Sequence, residues 1–161
     1  MLAGRIERIF CVVACLLTGV AYQFLTFLQE QNLKMKTPEL LIKEWMRAVN
    51  NGDLEGLLAL YDEQAVLIPT FSNRLLSQPG SIREYFDKLC AREELSIALH
   101  EKTLNVQPVS KDIYALHGIY CWRFAIDGEL LSFEARFSYI MDFARPKPII
   151  QHHSSQIPRM L

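Results

Sequence analysis

The second half of the chain alternates between apolar and polar residues over long stretches, and this pattern restricts the fold more than any other feature. From Leu95 onward the hydrophobic period is two, which is typical of strands with one buried face. The pattern predicts strands at residues 96–106, 113–126, 130–143 and 149–157. Asp127-Gly128 lies between the second and third of these strands and indicates a tight hairpin. Long strands twist, so we expect the sheet to curl and to present a concave face.

Helical signals precede these strands. Thr37 is a suitable N-cap, and Pro38 suits the first position of a helix. Asp53 can cap a second, short helix, and Pro79 leads into a third segment with one apolar face. Between the second and third helices, the apolar run at residues 65–68 predicts a short first strand.

This order of elements predicts an α+β domain over residues 37–158, with three N-terminal helices packed on a curved antiparallel sheet. The chain has 161 residues, the usual size of a single domain. A pocket between the helices and the concave face is the default position for a ligand. The formal net charge of −1 indicates no excess of basic residues that would attract a nucleic acid, so no nucleic-acid partner is expected.

Residues 1–34 have the features of a targeting segment. Arg5 and Arg8 precede an apolar run at residues 9–17, and small residues follow at the spacing of a signal-peptidase site. The apolar stretch is also long enough for an uncleaved membrane anchor. We therefore expect an exported, periplasmic or membrane-anchored protein. The alternative is that translation begins at Met35, which would leave the protein cytoplasmic.

The cysteines and histidines provide no recognisable metal motif. Cys90 and Cys121 are expected to be free thiols, with a single bridge between them as the alternative in an oxidising compartment. Zinc needs three or four converging nitrogen or sulfur ligands. The other candidates in the domain are His100, His117, His152 and His153. We expect no metal cofactor, with zinc or manganese as the alternative.

The last predicted strand contains the polar run 151–156. Alternation places Gln151, His153 and Ser155 on one face and the intervening residues, His152, Ser154 and Gln156, on the other. A polar pocket wall and a solvent-facing strand end both remain open from this pattern.

Several other kinds of site lack their sequence signals. The chain has no GxSxG, HExxH or glycine-rich phosphate loop, which argues against serine hydrolase, zinc protease and nucleotide-binding functions. Glu134 and Arg136 share one strand face and are predicted to form an ion pair. Tyr120 and Trp122 are interpreted as core aromatics.

Four segments resemble a known family. Residues 67–73 with 82–86, residues 135–137 and residues 150–158, which include His-His-Ser-Ser, resemble the iota-class carbonic anhydrases. These enzymes belong to the nuclear-transport-factor-2-like superfamily, near the association domain of calcium/calmodulin-dependent kinase II. The resemblance implies a cone-shaped, cystatin-like fold and a homodimer. It also implies reversible hydration of carbon dioxide to bicarbonate without an essential metal.

Carried over by position, the resemblance implies the catalytic set Thr70, Tyr85, His153 and Ser155. Ser154 joins Thr70, Tyr85 and Ser155 in the implied substrate-binding set. His153 and Ser155 would orient and deprotonate a water, while Thr70 and Tyr85 would hold the carbon dioxide oxygens. The chain departs from the family at Gln151, where a third histidine is usual, and an amide cannot relay a proton.

Two other functions remain open. The domain could be a non-catalytic association or ligand-binding module whose pocket is inherited. It could also be an isomerase or cyclase acting on a bulky apolar molecule, which requires a carboxylate base in an apolar cavity. Glu134 is the candidate for that base.

Overall fold

A computed structural model describes residues 37–158. Three helices, α1 to α3, and six strands, β1 to β6, follow in chain order with one short 3₁₀ helix between β2 and β3. The helices are α1 Pro38–Asn50, α2 Leu54–Leu58 and α3 Pro79–Cys90, and the 3₁₀ helix is Glu101–Thr103. The strands are β1 Tyr61–Ile68, β2 Ser96–Leu99, β3 Asn105–Pro108, β4 Ile113–Ile126, β5 Glu129–Asp142 and β6 Ile149–Gln156.

All six strands belong to one sheet. The order is β1-β6-β5-β4-β2, and β3 also pairs with β4. Strand β1 runs parallel to β6, whereas the other pairs are antiparallel. The prediction of a wholly antiparallel sheet was therefore wrong at one edge, because the last strand returns beside the first strand in the same direction. The α+β class with N-terminal helices and a curved sheet is confirmed.

Two predicted strands differ from the structure by more than one residue at a boundary. Strand β1 begins at Tyr61, four residues before the predicted start at Ala65, so Tyr61 belongs to the sheet and not to α2. The predicted strand 96–106 is interrupted by the 3₁₀ helix, which separates β2 from β3. Both short strands pair with the same edge of β4, each along a different part of this long strand.

The local signals for helix starts and for the hairpin are confirmed. The Asp53 carboxylate accepts a hydrogen bond of 2.8 Å from the backbone N–H of Gly56, which satisfies a donor at the start of α2. Pro79 is the first residue of α3. Asp127 and Gly128 have φ values of 52° and 80°, which a two-residue hairpin of type I′ requires.

Aromatic side chains fill the space between the helices and the concave face of the sheet. Trp45 of α1 is fully buried and stacks on Tyr120 of β4, with ring centroids 6.0 Å apart. Tyr120 in turn stacks on Phe137 of β5 at 4.8 Å. The largest fully buried side chains also include Trp122, Tyr139, Phe86 and Phe124. Burial of each such ring contributes roughly 2–3 kcal/mol to the free energy of unfolding.

The predicted targeting segment, residues 1–34, lies outside the described residues. Within the described part of the chain, none of the helices is both long and apolar enough to cross a membrane. Cys90 and Cys121 are free thiols, as expected; Cys90 is half-buried and Cys121 is buried.

Candidate functional site: a buried hydroxyl and imidazole cluster

A β-bulge decides which side chains of β6 face the core. Met141 of β5 pairs with Ile149, and the preceding Ile140 pairs with Gln151, so Ile150 is an extra residue in β6. Ile149 is fully buried. Unbroken alternation would place residues 151, 153 and 155 on the same side as Ile149, but the extra residue reverses this order. His152 and Ser154 therefore face the core.

His152 lies in the middle of a chain of buried hydrogen bonds. Its Nδ1 is 2.7 Å from the Tyr61 hydroxyl, and the Trp45 indole N–H donates to that hydroxyl at 3.0 Å. On the other side of the ring, Nε2 is 3.3 Å from the Tyr120 hydroxyl. The imidazole also stacks on Tyr139, with centroids 4.0 Å apart and planes inclined by 17°. These contacts hold the ring from both edges and one face.

The hydrogen-bond donors around His152 determine which of its two ring nitrogens carries the proton. The Trp45 N–H can only donate, so the Tyr61 oxygen accepts from it and the Tyr61 O–H is directed to Nδ1. We assign the imidazole proton to Nε2, since this arrangement leaves no hydroxyl hydrogen without an acceptor. Nε2–H then donates to the Tyr120 oxygen, and the Tyr120 O–H is free to point away from His152.

Thr70 and Ser154 adjoin the Tyr120 hydroxyl. Their hydroxyl oxygens are in hydrogen-bond contact with each other, and both side chains also interact with the Tyr120 hydroxyl. Ser154 is 3 % exposed, whereas Thr70 in the turn after β1 is half-buried and lies nearer to solvent. The cluster thus extends from the core at Trp45 to the edge of the sheet at Thr70.

Burial controls the ionisation of these groups. Desolvation, with a smaller contribution from the nearby His153, lowers the pKa of His152 to about 3, so the imidazole is neutral at physiological pH. Burial raises the pKa of Tyr120, although the nearby Ser154 and Thr70 hydroxyls and the Trp122 N–H oppose this effect. The pKa of Tyr61 is also raised by burial. The cluster therefore consists of neutral donors and acceptors.

Two buried polar atoms of the concave face make no hydrogen bond within residues 37–158. They are Nε1 of Trp122 and the hydroxyl of Tyr139. Trp122 is 2 % exposed, and its N–H lies close enough to the Tyr120 hydroxyl to affect the pKa of that group without a well-formed hydrogen bond. A buried donor without a partner costs roughly 1–3 kcal/mol, so a ligand oxygen at this point would be favoured.

The structure brings together only part of the predicted site. Thr70 and Ser154 are in contact, as the substrate-binding set implied. Tyr85 of α3 is half-buried; its phenol interacts with the Phe71 backbone, and it lies near enough to Tyr120 to raise the pKa of that phenol. These three residues remain candidates.

His153 and Ser155 are not part of the cluster. His153 is exposed, and Ser155 is half-buried on the opposite face of the sheet, where their neighbours on β5 are Ser138 and Arg136. Their predicted catalytic placement next to Thr70 and Tyr85 was therefore wrong, because the bulge in β6 directs their neighbours inward instead. Gln151 lies on the same outer face.

The outer face also contains the carboxylate considered for an isomerase. Glu134 is exposed and bonds to Nε2 of His100 at 2.7 Å, not to Arg136 as predicted. A base at this position has no apolar cavity around it, so an isomerase based on Glu134 loses its structural basis. In the described part of the chain, no three His, Cys, Asp or Glu side chains converge in a way that could hold a metal ion.

Sequence reasoning missed Tyr61 and His152 and interpreted Tyr120 and Trp122 only as core residues. A buried strand that carries polar residues next to several tyrosines is the signal that could have indicated a network, because buried polar groups need partners.

A family model described as a SnoaL-like domain matches residues 39–160. No curated protein matches this chain.

Solved structures share the fold at low sequence identity. One, named provisionally as a calcium/calmodulin dependent protein kinase II association domain from Xanthomonas campestris, is 24% identical with a TM-score of 0.67, covering 74% of this chain and 85% of that chain. A protein of the NTF2-like family from Streptomyces avermitilis, named provisionally as a dehydratase, is 17% identical with a TM-score of 0.64, covering 75% and 94%. An NTF2-like protein with a cystatin-like fold from Novosphingobium aromaticivorans is 14% identical with a TM-score of 0.62, covering 89% and 92%. The fold is therefore NTF2-like and cystatin-like.

Proposed function

This chain belongs to the SnoaL-like domain family, and we propose that it is an enzyme that hydrates carbon dioxide to bicarbonate without an essential metal. The reacting molecules would bind at the Tyr120 hydroxyl, between Trp122 and the Thr70–Ser154 pair. The resemblance of the His-His-Ser-Ser segment to iota-class carbonic anhydrases supports this substrate. The inward residues of that segment are His152 and Ser154.

One observation carries the proposal: a buried indole N–H without a partner lies beside a set of hydrogen-bonded hydroxyls. Trp122 Nε1 and the Tyr120 hydroxyl are two neutral donors at one point of the concave face. Two such donors suit an oxygen that gains negative charge during a reaction. In carbon dioxide hydration, this oxygen is the one that receives the C=O electrons as water attacks the carbon.

The packing around the cluster favours a very small substrate. The rings of Trp45, Tyr120 and Tyr139 fill the concave side of the sheet next to His152. The Phe71 ring meets Trp122 edge-on at 5.7 Å and closes the cluster on the side of Thr70. A triatomic molecule needs only a small displacement of Phe71 to reach the hydroxyls, whereas a polycyclic substrate would require repacking of the core.

Each residue has a distinct role in the proposed reaction. The Thr70–Ser154 pair positions the attacking water and passes one of its protons towards solvent at the half-buried Thr70. Trp122 N–H and Tyr120 O–H stabilise the charge on the bicarbonate oxygen. His152 is a positioning residue: with a pKa of about 3 it does not take up the proton, but it holds the Tyr120 oxygen so that the Tyr120 O–H points to the substrate.

The expected rate enhancement is modest. A zinc-bound water has a pKa of about 7 in place of 15.7, which corresponds to about 12 kcal/mol of ionisation free energy that this site does not supply. A well-placed oxyanion donor contributes about 10²–10³-fold to kcat. We therefore expect turnover far below that of zinc anhydrases.

The test is oxygen-18 exchange between labelled carbon dioxide and water, measured by mass spectrometry with a chelator present. Tyr120→Phe and Ser154→Ala each remove one hydroxyl of the cluster and should lower the exchange rate at least tenfold. His153→Ala and Ser155→Ala are matched controls on the outer face of the same strand and should retain the rate of the unmodified protein.

Two outcomes would contradict this proposal. Loss of activity in the outer-face variants with retention in Ser154→Ala would transfer the site to the other face of β6. A rate equal to the uncatalysed reaction in the unmodified protein would favour a non-catalytic association or ligand-binding module.

We also propose a homodimer formed by the outer face of the sheet. None of the helices within residues 37–158 covers this face, which presents half-buried Ile119 and Ile140 in its centre. Arg136 makes no ion pair within the described residues, and Glu134 two positions away carries the opposite charge. A two-fold arrangement would allow Arg136 of each copy to meet Glu134 of the other, so a second copy of this chain is a suitable occupant.

A further inference from the structure

A cavity of about 420 Å³ opens between helix α3 and the loop that follows β1, separate from the buried cluster. We call it the rim cavity. Its apolar lining comes from Phe71, Leu76, Tyr85 and Leu89. Its volume lies within the range of about 300–1,000 Å³ that is usual for small-molecule sites. Neither Tyr120 nor Ser154 lines it, so hydration of carbon dioxide does not explain it.

The charges at the mouth of the rim cavity are unbalanced. Arg74, Lys88 and Arg92 line it together with one carboxylate, Glu84. Glu84 is already paired with Lys88 at 2.6 Å. Two guanidinium groups therefore remain without a carboxylate partner within 4.0 Å among residues 37–158, since the ion pairs found there include neither Arg74 nor Arg92.

The two arginines differ in how they are held. Arg92 lies over the Phe124 ring, 4.4 Å from its centroid, which orients its guanidinium. Arg74 belongs to the loop after β1, where its backbone N–H donates to the Ser72 hydroxyl at 3.1 Å. Guanidinium groups recognise a carboxylate through paired hydrogen bonds. The mouth of the cavity thus combines an oriented cation and an exposed one.

We propose that the rim cavity binds an organic carboxylate with a planar apolar body. The body would lie against Phe71 and Tyr85, and the carboxylate would meet Arg74 and Arg92 at the mouth. A neutral apolar ligand would leave both guanidinium groups without a carboxylate partner. An inorganic anion would leave the apolar lining exposed to water. The combination of both surfaces in one cavity specifies an amphipathic anion.

Phe71 connects the rim cavity to a measurable signal. Its ring lines the cavity and also makes a T-shaped contact with Trp122, with ring centroids 5.7 Å apart. A ligand stacked on Phe71 should therefore shift the indole N–H resonance of Trp122. The chain contains two tryptophans, so Trp122→Phe assigns the signal. This measurement does not depend on turnover. The proposed binding of a carboxylate in the rim cavity is therefore tested independently of carbon dioxide hydration.

The test is titration of the full-length protein with 2-naphthoate, with its neutral analogue 2-naphthalenemethanol and with inorganic phosphate. Binding is measured by calorimetry and by the indole N–H resonances of the tryptophans. We expect saturable binding of one naphthoate with a shifted Trp122 signal. The alcohol and phosphate should each bind at least tenfold more weakly. Arg74→Gln and Arg92→Gln should each weaken naphthoate binding about tenfold. Arg83→Gln is the matched control, because Arg83 lies on α3 beside the cavity but does not line it and pairs with Glu55 at 2.6 Å.

Several results would overturn the assignment. Equal affinity for naphthoate and the alcohol would show that the arginines do not recognise the carboxylate. An equal loss in Arg83→Gln would indicate a non-specific charge effect. Absence of saturable naphthoate binding, or binding that leaves the Trp122 resonance unchanged, would exclude this cavity as the site. Circular dichroism of each variant distinguishes loss of binding from loss of folding.

Discussion

The Tyr61 hydroxyl lies 2.7 Å from Nδ1 of His152, although 91 residues separate the two in the sequence. Their strands, β1 and β6, form the parallel edge of the sheet. This bond links the first strand of the domain to the last one in the interior. The stability of the domain and the orientation of the Tyr120 hydroxyl therefore both depend on the imidazole of His152.

Replacement of His152 should destabilise the domain strongly. His152→Ala leaves the hydroxyls of Tyr61 and Tyr120 without their partner and creates a cavity beside Tyr139, so we expect the free energy of unfolding to fall by about 3 kcal/mol or more. Urea denaturation followed by tryptophan fluorescence measures this change. The exposed neighbour provides the control, since His153→Ala should change the free energy of unfolding by less than about 0.5 kcal/mol. Equal effects of the two substitutions would contradict the assignment of the buried face.

The low pKa of His152 predicts a specific dependence of stability on pH. The unfolded chain binds a proton at this residue below about pH 6.5, whereas the folded state resists protonation until about pH 3. The contribution of His152 to the free energy of unfolding is complete above about pH 6.5 and is lost progressively as the pH falls towards 3. Between pH 6 and pH 5 the free energy of unfolding should decrease by about 1 kcal/mol from this group.

The His152→Gln variant tests this origin. It removes the titrating group and should show a smaller decrease over the same interval, where Asp and Glu side chains contribute little. An unchanged slope in the variant would assign the pH dependence to other residues.

A close contact in the sheet predicts that the addition of a single methyl group at Gly118 lowers the free energy of unfolding. Gly118 of β4 lies opposite Phe137, and a Cβ at position 118 would be 2.6 Å from the Phe137 Cζ. Since Phe137 stacks on Tyr120, Gly118→Ala should displace both rings and lower the free energy of unfolding by about 1–3 kcal/mol. Gly80→Ala is the control, because its Cβ would meet no atom within 4 Å and helices favour alanine. Thermal unfolding that shows similar stability for both variants would disprove the predicted strain.

The proposed dimer is tested by a charge on the outer face of the sheet. Ile140→Glu places a carboxylate in the middle of the expected interface and should convert dimers to monomers, as measured by sedimentation velocity. Val109→Glu is a suitable control because this side chain is 60% exposed in the turn before β4. A sedimentation coefficient that is the same for the unmodified protein and both variants would argue against an interface on this face.

Local sequence signals were sufficient for most of the fold. The N-terminal proline and the capping aspartate determined where α1 and α2 begin, and the Asp-Gly pair determined the β4–β5 hairpin, because these residues act through their own backbone and nearest neighbours. Period-two alternation also separated the two faces of β6 correctly. Alternation defines which residues share a face, but it does not define which face is buried.

Only the tertiary structure decided that His152 and Ser154, not His153 and Ser155, face the core. The deciding feature is the extra residue Ile150, which lies between the residues of β6 that pair with Ile140 and Met141 of β5. The side chains that contact His152 come from four other elements of the domain: Trp45 from α1, Tyr61 from β1, Tyr120 from β4 and Tyr139 from β5. Such contacts depend on distances between segments far apart in the chain, whereas the sequence by itself specifies the conformation and polarity of each segment.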